Sequence, residues 1–209
     1  MNKNKVNSIL DLFEAEYGEA ECTLDYVNPL HLMIATQLAA QCTDARVNMV
    51  TPALYARYST AEDFMNADRE VLEGLIRSTG FFRNKAKNII GCCTMLVKDF
   101  NNEIPQNMND LLKLPGVGRK TANLVLGDAF NIPGIVIDTH AGRLARRLGF
   151  TKETDPAKVE KDLMELIPED KWIILGHWFV AHGRAVCNSR TPKCESCSFA
   201  PLCDYYKAI

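Results

Sequence analysis

The sequence predicts an all-α protein, and three observations carry that reading. No stretch alternates apolar and polar residues for long enough to build a sheet. Apolar residues instead fall in helix-length segments from Val6 to Val186. Proline, glycine and short polar clusters interrupt those segments at close intervals, so many helices must pack in pairs through short connections.

The elements follow in order. Val6 to Tyr17 is a first amphipathic helix. Pro29 precedes an apolar one, Leu30 to Ala40, and Asp44 to Tyr58 follows after a short break. Ala61 to Asn66, started by Ser59-Thr60, and Arg69 to Ser78 are short helices. Asn84 to Asp99 is longer, and it opens with Arg83, Lys85 and Lys87. The positive end of a helix dipole disfavours cations there, so their placement points to an external anion. Met108 to Lys113 closes at Leu114-Pro115-Gly116. The next helix begins near Arg119 and continues from Thr121 to Ala129. Asn131 to Ile137 is irregular around Pro133-Gly134. Thr139 to Leu148, Pro156 to Leu166 and Lys171 to Val186 complete the helical part.

The 209 residues can fill one large core or two small ones, and 47% hydrophobic content excludes a disordered chain. No apolar run approaches the roughly 20 residues that span a bilayer, and MNKNK does not open a signal peptide. A cytoplasmic protein is expected, associated with the nucleoid if the cell is prokaryotic. Cys22, Cys42, Cys92 and Cys93 should then be reduced and mostly buried. The net charge of -2 is not that of a basic nucleic-acid binder. Charge is segregated, however. Lys113, Arg119, Lys120, Arg143, Arg146 and Arg147 fall in one segment, whereas Glu153 to Asp170 is predominantly acidic. One face for phosphates and another for water would result.

The most specific local run is Leu114-Pro115-Gly116-Val117-Gly118-Arg119-Lys120-Thr121-Ala122. It reads as a hairpin between two helices. Gly116 and Gly118 allow a positive φ or the close approach of another backbone. Val117 should tuck inward and hold the turn. The first amides of the helix that begins at Arg119 lack internal partners and can receive a phosphate. Such a hairpin grips a nucleic-acid backbone by position rather than by base identity.

Lys120 lies in the first turn of that helix. The helix-end field and partial burial would favour its neutral, nucleophilic amine. Simple phosphate binding is the alternative for this residue. Asp138 precedes Thr139-His140-Ala141 and is a natural N-cap, with its carboxylate fixed in direction. Beside a sugar it could stabilise the positive charge that develops as a base departs. His140 reads as structural. Arg143, Arg146 and Arg147 suit packing and phosphate contact.

Cys187, Cys194, Cys197 and Cys203 close the chain with the spacing Cys-x6-Cys-x2-Cys-x5-Cys. Four thiolates suit tetrahedral zinc or a four-iron cluster. Only one pair is close, which favours the cluster. Arg190 and Lys193 lie in the loop between the first two cysteines. They are placed either to meet phosphate or to offset the charge of a thiolate-bound centre.

Over nearly its whole length the chain resembles the endonuclease III family of DNA glycosylase/AP lyases. The likeness is densest at Leu114 to Leu126, Ile137 to Arg143, and His182-Gly183-Arg184 through Cys203. It implies a two-lobed helix-hairpin-helix glycosylase fold with a C-terminal four-cysteine iron–sulfur loop. Residues 21–132 would form the central lobe, and 1–20 with 133–209 the second. It implies one [4Fe-4S] cluster on Cys187, Cys194, Cys197 and Cys203. Lys120 would be the nucleophile and Asp138 its essential partner, facing each other across the cleft that receives the damaged base. Gln41 matches the glutamine that faces the orphaned base, and Phe81 a wedge position more often held by leucine. The partner would be duplex DNA carrying damaged bases or abasic sites, met by one copy of the chain.

The expected reaction is therefore removal of oxidised or ring-saturated pyrimidines, followed by strand cleavage 3′ to the abasic site by β-elimination. Competing readings are a glycosylase that only hydrolyses the base–sugar bond, a noncatalytic iron–sulfur DNA-binding module, and an electron-transfer protein.

Overall fold

A computed structural model describes residues 1–209, and the chain folds as two compact units. Helix α1 (Lys3–Tyr17) belongs to the unit formed by Met1–Glu21 and Pro133–Ile209. The unit Cys22–Ile132 holds α2 (Pro29–Leu38), α3 (Asp44–Arg57), α4 (Ala61–Met65), α5 (Arg69–Ile76), α6 (Phe82–Asp99), α7 (Met108–Leu111) and α8 (Arg119–Phe130). The first unit resumes with α9 (Thr139–Leu148), α10 (Pro156–Leu166), α11 (Trp172–Ala185) and the short α12 (Asp204–Lys207). No strand forms, so the all-α expectation holds. No helix is long and apolar enough to cross a membrane.

In the Cys22–Ile132 unit, α2 is the axis. It is buried continuously from His31 to Leu38, and α3, α6 and α8 pack around it. A helix with apolar residues on every side, as Leu32, Met33, Ile34, Ala35 and Leu38 give α2, belongs in a core rather than at a surface. Leu32, Met33, Ile34 and Leu38 meet Leu54, Phe64, Ile89, Leu96, Val125 and Leu126 in one cluster. The other unit has its own core, with Ile9 and Phe13 of α1, Leu144 and Leu148 of α9, Leu163 of α10 and Trp178 and Phe179 of α11. Phe13 and Trp178 stack at 5.9 Å with 6° between their planes. The Trp178 indole N–H donates to the Gly18 carbonyl at 2.8 Å, which fixes the end of α1.

Most helix starts are written locally. Asn28 accepts from the His31 amide ahead of Pro29 at the first helical position. Thr60 and Asp63 form a reciprocal capping box. Asp68, Asn107 and Asp155 cap α5, α7 and α10. In the Cys22–Ile132 unit only α6 and α8 begin without a side-chain cap, at Phe81 and Gly118. Both starts border the candidate site.

Two expectations are corrected. The second helix ends at Leu38 rather than Ala40, because the chain turns through Gln41 in the left-handed region. Lys85 does not await an external anion. It is buried, and its ammonium donates to carbonyls of the protein itself. Helix α12 has no counterpart among the expected elements, since at four residues it is too short to show a period.

Candidate functional site

The hairpin lies wholly in the Cys22–Ile132 unit. Val117 is buried and its amide donates to the Leu114 carbonyl at 3.1 Å, as an inward-tucked turn residue should. Gly116 has φ +77°, the left-handed region where a side chain is strained. A Cβ there would also stand 2.7 Å from Gln37 Oε1 and 2.8 Å from Asn88 Cβ. Gly118 differs. Its φ is -101°, and a Cβ would meet nothing within 4 Å. Gly116 is thus required by the fold, and Gly118 leaves open space in front of the first turn of α8. Arg119 and Lys120 are the first two residues of that turn, and both are exposed. The partial burial expected of Lys120 is not supplied by the protein.

Gln41 and Phe81 stand at the ends of two chain turns in the same unit. Gln41 has φ 54° and Phe81 φ 48°. Backbone strain of this kind costs about 1–3 kcal/mol per residue and survives where the surroundings enforce it. Phe81 is 66% exposed, an unusual setting for a phenyl ring. The two residues border one pocket, together with Gln37, Asn88 and Gly116. Beneath it Gln37 is buried, and neither its Oε1 nor its Nε2 has a hydrogen-bond partner.

The other unit carries Asp138. It caps α9, with Oδ1 accepting from the Ala141 amide at 2.7 Å. That bond fixes the carboxylate in direction and leaves its second oxygen to act. His140 is held below its ordinary range, first by burial and then by the positive charges of Arg143 and Arg184, against the opposing pull of Asp138. Arg143 Nη2 lies 3.0 Å from His140 Nδ1. Arginine can only donate, so Nδ1 accepts and the ring is neutral. Arg143 is otherwise engaged with the carbonyls of Cys187, Gly183 and Thr139. Its role as a phosphate contact must compete with these bonds.

The terminal cysteines line one pocket with Leu144, Leu148, Val186 and Phe199. None of the eight cysteines forms a disulfide. Cys194 and Cys197 are pushed up by burial, and each also feels the negative charge of Cys187 and Cys203. Four sulfurs within electrostatic reach of one another would resist ionising together, an effect that Arg147, which lines the same pocket, opposes. A cationic centre reverses that, because thiolates bound to it need no proton. The donor set therefore fits an iron–sulfur cluster. No three His, Cys, Asp or Glu side chains gather tightly enough to hold a single metal ion.

Around these sulfurs lie groups that sequence reasoning placed differently or missed. Arg147 Nη1 is 3.2 Å from Cys187 Sγ and 2.7 Å from the Asn188 carbonyl, and Nη2 donates to the Ser189 carbonyl at 3.0 Å. Its guanidinium lies 4.5 Å from the Tyr205 ring centroid. Arg147 faces the Cys187 sulfur rather than solvent. His182 bridges Tyr17 at 2.7 Å and Cys197 at 3.6 Å. Lys193 is exposed with its ammonium on the Ala185 carbonyl, and Arg190 is exposed. Only the basic pair at the end of α9 could have signalled Arg147, and nothing local marks the bridge at His182.

A hairpin of this kind within an all-α fold suits a protein that grips a nucleic-acid backbone. Residues 34–169 match the model of the HhH-GPD superfamily of base excision DNA repair proteins. Endonuclease III of Synechocystis sp. is 52% identical over 202 residues, which cover 96% of this chain and 92% of that protein. A solved non-covalent endonuclease III–DNA complex superposes with a TM-score of 0.95 at 43% identity, covering 100% of this chain and 98% of that one. A trapped endonuclease III–DNA covalent intermediate gives the same TM-score, identity and coverage. The chain belongs to the endonuclease III family of DNA glycosylase/AP lyases.

Proposed function

We propose that the protein excises oxidised or ring-saturated pyrimidines from duplex DNA and nicks the resulting abasic site, with Lys120 as nucleophile and Asp138 as its partner. The observation that carries this reading is the start of α8. Lys120 projects from an uncapped first turn, next to a glycine with open space before it. The solved family complex with DNA and the trapped covalent intermediate support a duplex as the substrate and a protein–DNA bond on the path.

The duplex docks its backbone on the amides of the hairpin and the α8 start, Gly116 to Arg119. The damaged nucleotide leaves the stack at a cost of a few kcal/mol, lower where damage has already weakened stacking. Gln41 and Phe81 enter the gap. The Gln41 amide can donate and accept, and so tolerates different opposing bases. The Phe81 ring can stack where an aliphatic side chain only wedges.

Lys120 is exposed, so the water around its amine is displaced by the duplex. As it is desolvated its ammonium gives up a proton to water, and the freed Nζ lone pair attacks C1′ of the deoxyribose. The C1′–N bond breaks, and its electron pair leaves on the base, which takes up a proton. Asp138, tied at Oδ1 by the Ala141 amide, stabilises the positive charge on the sugar. Ring opening gives a Schiff base between Nζ and C1′. Loss of a C2′ proton then expels the 3′ phosphate, and water hydrolyses the imine to release Lys120.

Cys187, Cys194, Cys197 and Cys203 would hold one [4Fe-4S] cluster, which supplies a cross-link for the C-terminal loop. Arg147 places a guanidinium against Cys187 and two loop carbonyls, the charge such a centre requires. Arg143, Arg190 and Lys193 supply positive charge for phosphates nearby. The enzyme acts as one copy in the cytoplasm, at chromosomal DNA.

Borohydride trapping tests this function. The wild type should form a covalent adduct with a thymine-glycol duplex, and K120A should form none. An undiminished adduct with K120A would overturn the assignment.

A further inference from the structure

Lys85 is only 5% exposed, and burial holds its ammonium below the ordinary range of lysine. Its Nζ donates to the Leu38 carbonyl at 2.7 Å and to the Thr79 carbonyl at 2.8 Å. Leu38 is the last residue of α2, and Thr79 closes the 3-10 turn that follows α5. Carbonyls at helix ends have no partner within their own helix, and inside a protein they need one. A buried ammonium likewise needs acceptors, and bonds from a charged donor are among the stronger ones.

What lies beyond each carbonyl gives the bonds a further meaning. Gln41 follows Leu38 by three residues and Phe81 follows Thr79 by two. Both are exposed, both have left-handed backbones, and both border the pocket that Lys85 also lines. The Phe81 carbonyl receives the amides of Asn84 and Lys85 at 3.1 and 3.0 Å. Lys85 therefore grips the Phe81 turn through its backbone and both turns through its side chain. A methionine could fill the same space and keep the backbone bond to Phe81, but its side chain would tie neither turn.

We propose that Lys85 is a positioning residue for base excision, setting the spacing and direction of Gln41 and Phe81 as they enter the duplex. The inference rests on the wedge roles given to those two residues under the proposed function.

A double-mutant cycle tests it. The enzymes are wild type, F81A, K85M and K85M/F81A, and the measure is kcat/KM on a thymine-glycol duplex below the melting temperature of every variant. F81A should cost about tenfold, the order of one base stacked on an aromatic ring. K85M should cost about as much, and the double variant little more, because a misplaced ring has nothing left to lose. K85R, which can still donate to both carbonyls, should restore most of the loss.

A second readout is the fluorescence of 2-aminopurine placed opposite an uncleavable abasic analogue. K85M should shift it as F81A does. Borohydride trapping on a preformed abasic site in single-stranded DNA needs no wedge and should stay within about twofold in K85M, which keeps the amine of Lys120. If F81A lowers kcat/KM by the same factor with Lys85 present or replaced, Lys85 is merely structural and the proposal falls. If the wild type itself fails to trap, the assigned function fails, and not the role of Lys85. Should K85M not fold, K85L, which also lacks a side-chain donor, carries the same cycle with the same readings.

Discussion

Replacing Gly116 and Gly118 separately by alanine should split folding from DNA binding in a turn of three residues. At Gly116 the new Cβ would sit at φ +77°, 2.7 Å from Gln37 Oε1 and 2.8 Å from Asn88 Cβ. The left-handed conformation costs an alanine about 1–2 kcal/mol. Overpacking adds about 1–3 kcal/mol, because Asn88 Cβ is fixed to the backbone of α6 and cannot retreat as the tip of Gln37 can. The loss should be about 2–5 kcal/mol, or roughly 4–20 °C in Tm for a chain of this length. At Gly118 the φ is ordinary and the space empty. Alanine is a poorer N-cap than glycine by a few tenths to about 1 kcal/mol. Its smaller unfolded-state entropy returns about as much, 0.4–1 kcal/mol. G118A should therefore melt close to wild type. Its methyl group would stand where a phosphate approaches the α8 amides, and losing one such bond should weaken duplex binding about 10–100-fold. Thermal melts and fluorescence-anisotropy titrations on an abasic-analogue duplex measure the two effects. If G118A is as unstable as G116A, or binds as tightly as wild type, the distinct roles of the two glycines are wrong.

Asp138→Asn should keep the α9 cap, since an amide oxygen can accept from Ala141, and should lose turnover while DNA affinity is largely kept. Equal loss of binding and turnover would make Asp138 mainly a cap. Arg147→Met should keep packing against Tyr205 and lose the bonds to Cys187, Asn188 and Ser189. Iron and sulfide per chain should fall, and wild-type content would refute a role for Arg147 at the proposed cluster. His31 gives a pH prediction. It is buried against Tyr55 at 3.8 Å with no partner on either ring nitrogen, and burial lowers its pKa. Above the unfolded value of about 6.5 both states are neutral and His31 has no effect. Below it only the unfolded chain binds the proton, so stability falls with pH until the folded ring also charges. H31F should remove up to about 1.4 kcal/mol per pH unit from that fall, read from urea melts between pH 7.5 and 5. His140 and His182, also held low, keep their share. An unchanged slope would refute the assignment.

Features that depend on neighbours along the chain are legible in the residues themselves. Asn28-Pro29, Thr60 with Asp63, Asp138 and Asp155-Pro156 each announce a helix start, because a cap acts within three residues. The run from Leu114 to Ala122 announces the hairpin for the same reason, and the inward turn of Val117 follows from it. The mainly apolar stretch of α2, interrupted by His31, Thr36 and Gln37, marks a core helix. The all-α class needs no more than these local patterns.

What the tertiary structure alone decided lies between residues far apart in the chain. The cationic start of α6 suggested an external anion, yet Lys85 turns inward to a carbonyl 47 residues away. Arg147 reaches a sulfur 40 residues on, and His182 a tyrosine 165 residues back. Gln41 and Phe81 are themselves left-handed without being glycine, and although Gly80 marks the second turn, the surrounding fold rather than local preference holds the two residues there. Local chemistry fixes where a helix begins and where a turn must bend. Which buried charge meets which carbonyl is settled only when the cores close, because desolvation makes a pairing decisive that would be negligible in water.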